Sequence, residues 1–114
     1  MIKVKFKYDT EKGSLKMKVQ GHACCAPKGE DLVCAAVSAL AITAGQVARM
    51  FWCEGWLKQF PLVQLCDGNA LVILTPKEQF LESSAMAFWT VQAGIFALQQ
   101  RYPQHVDLEE VMEL

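Results

Sequence analysis

Residues 2–8 alternate without a fault: Ile2, Val4, Phe6 and Tyr8 occupy every second position, with Lys3, Lys5 and Lys7 between them. Successive strand side chains point to opposite faces, so this spacing suits a strand with one buried face and scatters on a helix. After Asp9-Thr10-Glu11-Lys12-Gly13 the alternation resumes, with Leu15, Met17 and Val19 set against Lys16, Lys18 and Gln20. Two such runs around a Gly-ended turn predict a β-hairpin. A hairpin with one apolar face needs a cover, and the rest of the chain must supply it.

Residues 21–30 lose all periodicity and hold two Gly and one Pro, which predicts a loop. From Asp31 the spacing changes to alternating steps of four and three: Val33, Val37, Leu40, Ala44, Val47 and Phe51 form a helical stripe. A second stripe, Cys34, Ser38, Ala41 and Gly45, holds only small residues. It predicts a helix covered on two sides, by the sheet and by another helix or subunit, and fading near Gly55. Segments 63–65 and 70–74 flank Cys66-Asp67-Gly68-Asn69, which predicts a second hairpin. Thr75-Pro76-Lys77-Glu78 matches a capping box for a helix running to about Tyr102 and stopped by Pro103. Val106 and Leu108, alternating with His105, Asp107 and Glu109, predict a last short strand. The order ββαββαβ implies a single α+β domain over residues 1–114, an antiparallel sheet with two helices packed on one face.

Composition narrows the function classes. Hydrophobic residues make up 53% and charged residues 20%, which excludes a disordered tail. The net charge of −1 gives no bulk argument for a nucleic-acid partner. The lysine face of the first hairpin is expected to be a solvated outer sheet face opposite Asp107 and Glu109. Residues 32–48 and 83–100 are uncharged, but Ser38, Thr43, Gln46, Ser83, Gln92 and Gln99 favour amphipathic helices over membrane spans. The charged start argues against a signal peptide, and five cysteines, an odd number, leave at least one thiol free in any pairing within the chain. A reducing cytoplasm is the expected setting.

If Asp31 caps the first helix, Cys34 is its third residue, where unpaired N–H groups and the helix dipole favour a thiolate. His22 lies twelve residues earlier, and a ten-residue loop can return it to Cys34. Cysteine beside histidine at a helix start is the arrangement of an activated nucleophile. Other uses of these residues stay open. A buried free cysteine usually acts as a small hydrophobe. His22, Cys24, Cys25 and Cys34 are also four potential zinc ligands, although adjacent cysteines suit tetrahedral ligation poorly. Cys24 or Cys25 could serve a redox switch. Cys53 and Cys66 are expected to be core or surface thiols, and Phe51, Trp52, Trp56, Phe88 and Trp89 to be core or dimer interface.

The stretch Gly21-His22-Ala23, a short loop, then Gly29-x-Asp31-Leu32-Val33-Cys34-Ala35-Ala36-Val37-Ser38 resembles the signature of the Prp family of ribosomal-processing cysteine proteases. The resemblance implies a catalytic dyad of His22 and Cys34. Asp31, Ser38, Gly21 and Gly29 match further motif positions. The loop of Ala23, Cys24, Cys25, Ala26, Pro27 and Lys28 would close over substrate, and backbone N–H groups at the helix start would hold the oxyanion. Family members are cytoplasmic homodimers that need no metal or cofactor. They remove an N-terminal extension from large-subunit ribosomal protein twenty-seven, cutting after an aromatic residue. Cys24-Cys25 and Pro27 depart from the polar, acidic or Gly residues expected in that loop. A ribosome-associated peptide-binding adaptor without activity is the competing reading.

Overall fold

The computed structural model describes residues 1–21, 28–66 and 68–113. The strands are β1 (Ile2–Asp9), β2 (Ser14–Gln20), β3 (Leu62–Cys66), β4 (Asn69–Leu74) and β5 (Val106–Glu113), and the helices are α1 (Lys28–Cys53) and α2 (Leu81–Arg101). The order is the expected ββαββαβ. The five-stranded sheet runs β3-β4-β2-β1-β5. Pairing is antiparallel from β3 to β1, but β5 lies parallel to β1, so the sheet is mixed rather than antiparallel throughout. The chain reaches β5 through a full helix and not a tight turn, which frees it from hairpin geometry.

Alternation in β1 and β2 works as the spacing requires. Ile2, Val4, Phe6, Leu15 and Met17 are buried on one face together with Val72 and Leu74 of β4. The register sets Lys3 opposite Asp107 and Lys5 opposite Glu109 on the outer face, so the β5 acids partly balance the lysines. Both helices cover the apolar face in one core, and Phe88 of α2 meets Phe6 edge-on at a centroid distance of 6.2 Å. At Gly45 the small stripe of α1 is covered by β3 and β4: a Cβ there would lie 2.9 Å from Val63 Cγ1. Its neighbour Leu40 meets α2 at Gly94, where a Cβ would lie 3.0 Å from the leucine. Sheet and helix therefore cover α1 on two sides.

The second helix begins differently from the sequence expectation. A 3₁₀ turn over Glu78–Phe80 precedes α2, and neither start has a side-chain cap. Lys58 N–H donates to the Thr75 carbonyl at 2.8 Å and Lys77 N–H to the Trp56 carbonyl at 2.8 Å, around a bridge between Leu57 and Pro76. Tertiary pairing thus holds Thr75 and Pro76 in extended backbone, and the capping box does not form.

One polar chain crosses the α2 side of the core. The Tyr8 hydroxyl donates to Gln92 Oε1 at 2.6 Å, and Gln92 Nε2 donates to Glu110 Oε2 at 2.8 Å. Burial, and then the Glu110 carboxylate, push the Tyr8 hydroxyl well above the ordinary tyrosine range. A pKa raised by folding stabilises the fold below the unfolded value of about 10 and loses that contribution as pH rises above it. Tyr8→Phe should cost about 1–2 kcal/mol in urea unfolding at neutral pH, because the Gln92 carbonyl loses its donor. The gap between variant and wild type should narrow once pH exceeds about 10.

Candidate active site

Helix α1 carries Cys34 and Ser38 one turn apart on the side that faces the β3–β4 hairpin. Val33 and Val37, the residues preceding each, are buried in the core and fix the helix rotation. Cys34 is half-buried and Ser38 exposed. Together with Ala41 they form one wall of a cleft of about 50 Å³. Cys66, Gly68, Asn69 and Ala70 form the facing wall, and Gly21, at the exit of β2, closes one end. The register explains this meeting. Gln20 pairs with Asn69, so the β3–β4 turn sits beside the point where the chain leaves β2.

His22, Ala23, Cys24, Cys25, Ala26 and Pro27 lie outside the described residues. Lys28 and Gly29 are the first two residues of α1, not loop, and Asp31 lies within the helix instead of capping it. The sequence places proline just before this start, a residue tolerated at the beginning of a helix but not inside it. Cys34 is consequently the seventh helical residue and not the third. Only the first four helical N–H groups lack partners, so the amides of residues 32–34 belong to the helix ladder. They are not the free oxyanion donors that a start at Asp31 would provide.

Gly21 has φ +94°, and a Cβ there would run into the Met1 carbonyl. Gly13, in the first hairpin turn, has φ +65° with open space around it. Gly13→Ala should cost about 1 kcal/mol for its left-handed backbone alone. Gly21→Ala should cost about 2–3 kcal/mol, because backbone must also move at the cleft. Parallel urea titrations of the two variants measure the difference.

From sequence Cys66 is expected to be a core or surface thiol, yet it shares the cleft with Cys34. No local pattern could reveal this, because the β2–β4 pairing that carries the turn to the site joins segments about fifty residues apart. Cys53, by contrast, is exposed at the far end of α1.

Comparison with known proteins adds a family. The model of the family Cysteine protease Prp matches residues 1–107. The ribosomal processing cysteine protease Prp of Mycoplasma genitalium is 34% identical over 91 residues, 80% of this chain and 83% of the relative. Among solved structures, SMU.848 from Streptococcus mutans aligns with a TM-score of 0.71 at 23% identity, covering 99% of this chain and 96% of the other. The ribosomal processing protease Prp from S. aureus, in complex with a substrate peptide, aligns with a TM-score of 0.70 at 17% identity, covering 96% and 99%.

Proposed function

The chain belongs to the cysteine protease Prp family, and on that premise we propose that it removes the N-terminal extension of large-subunit ribosomal protein twenty-seven in the cytoplasm, using Cys34 and His22. One observation carries the assignment of the dyad. Gly21 and Cys34, drawn from the two halves of the family motif, border the same cleft, and His22 follows Gly21 in the chain. Asp31, Ser38, Gly21 and Gly29 are assigned supporting roles, and residues 23–28 the contact with substrate. Among the described residues, Ser38 lines the cleft beside the proposed nucleophile.

The chemistry follows from those two side chains. His22 takes the thiol proton of Cys34, and the thiolate sulfur bonds to the scissile carbonyl carbon. The tetrahedral intermediate collapses as His22 returns the proton to the leaving amine, giving a thioester and the shortened ribosomal protein. Water, deprotonated by His22, then displaces Cys34 and releases the extension as a free acid.

Incubating the protein with a peptide that spans the extension and its junction, followed by mass analysis, tests this reading. Wild type should yield one cut. Cys34→Ala and His22→Ala should each lower the rate by at least about 10²-fold, and Ser38→Ala by less. Undiminished cleavage by either dyad variant would falsify the assignment. A peptide bound but left whole by wild type would favour the adaptor.

The proposal includes a homodimer. Met86, Trp89 and Phe96 of α2 are about half exposed, and with Leu108 they line a groove of about 620 Å³. A second copy of this chain would cover that surface, which is larger and more apolar than a solvated helix needs. Sedimentation equilibrium should give a dimer for wild type and a monomer for a Trp89→Lys, Phe96→Lys double variant.

A further inference from the structure

The walls of the active-site cleft are not parallel. At Gly45, α1 and β3 are in contact, and even a Cβ would press on Val63. Toward Cys34 they part, because Ala41, Ser38 and Ala70 are too small to fill the gap. The opening holds a hollow of about 180 Å³ lined by Ser38, Ala41, Ile42, Leu65, Cys66 and Ala70. Four of these six also line the cleft at Cys34, so the hollow and the nucleophile share one groove. Among the described residues, none that lines it is charged. Two of its large apolar side chains are left exposed, Ile42 at 55% and Leu65 at 39%.

We propose that this hollow is a substrate subsite for one uncharged apolar side chain, and that the residue at position 66 sets how large that side chain can be. Cys66 stands at the end of β3, where it borders both the cleft and the hollow. An extended peptide reaching Cys34 along the groove would pass this rim. Apolar contact with Ile42 and Leu65 would then favour an apolar side chain over a polar one there. A small thiol at 66 leaves the mouth open, whereas a bulky side chain there would close it. The inference rests on the protease reading, since the ligand is its peptide substrate.

Two measurements test it. In Cys34→Ala, which retains the groove without the nucleophile, iodoacetamide labelling of Cys66 is followed by peptide mapping. The extension-junction peptide at about ten times its Kd should slow Cys66 labelling about tenfold and leave Cys53 unchanged. Separately, Cys66→Trp is assayed on peptides in which each apolar residue is replaced by Ala in turn. For the unsubstituted peptide, kcat/KM should fall about tenfold or more, while one Ala-substituted peptide escapes most of that loss. Unprotected Cys66, or an equal loss on every peptide, overturns the subsite. Protection of Cys66 without cleavage by wild type would support the subsite and overturn the protease reading, whereas cleavage without protection does the reverse.

Discussion

The pairing of β2 with β4 is the constraint on which the site depends. With Gln20 opposite Asn69, the second hairpin's turn comes to the end of β2, from which the chain leaves toward α1. A shift of one residue would send Met17, Val19 and Val72 to the solvent face, so core burial enforces the register. The alignment of α1 with the β3–β4 turn therefore rests on apolar packing. The outer lysines add little, because Lys5 faces Lys18 and Lys7 faces Lys16 across β1 and β2.

Helix α1 has two jobs that conflict in its sequence. Val33, Val37, Ala41, Ala44 and Ala48 must be buried to hold it on the sheet, yet the cleft needs an open face close by. Small residues resolve the conflict by position. Gly45 lets α1 approach β3 closely, and Ser38 and Ala41 leave space where α1 and the hairpin part. From Leu32 to Cys53 the helix is also long and apolar enough to cross a membrane by length and composition. In this fold it packs on the sheet and α2, with Val33, Val37, Ala41, Ala44 and Ala48 buried in the core.

Much of the fold was legible because it rests on local periodicity. Strict alternation identified β1 and β2, the four-and-three spacing identified α1, and Gly68 with φ +79° marks the turn of the second hairpin. What escaped depended on distant partners. The orientation of β5 is decided by where α2 delivers the chain. Thr75 and Pro76 are held by hydrogen bonds to residues 56–58, which no local pattern encodes. At the site, the motif around Cys34 was recognisable by spacing, while Cys66 needed the sheet register to reach it. The start of α1 was misplaced because Lys28 and Glu30 are good helix formers that polar, Gly-containing surroundings disguised as loop.

That earlier helix start changes how the thiol can be activated. The stabilising effect of a helix dipole on an anion falls off within the first turn. A cysteine at the third position would gain from it directly, whereas Cys34 lies in the second turn. Within the proposed dyad, thiolate formation then falls mainly to His22, which must act both as base and as a compensating charge. The oxyanion of the proposed reaction must likewise be met by donors outside the α1 ladder, and among the described residues Ser38 and Asn69, which line the cleft, carry such groups. The site is therefore organised between two elements, α1 and the β3–β4 hairpin, with the sheet register setting their alignment.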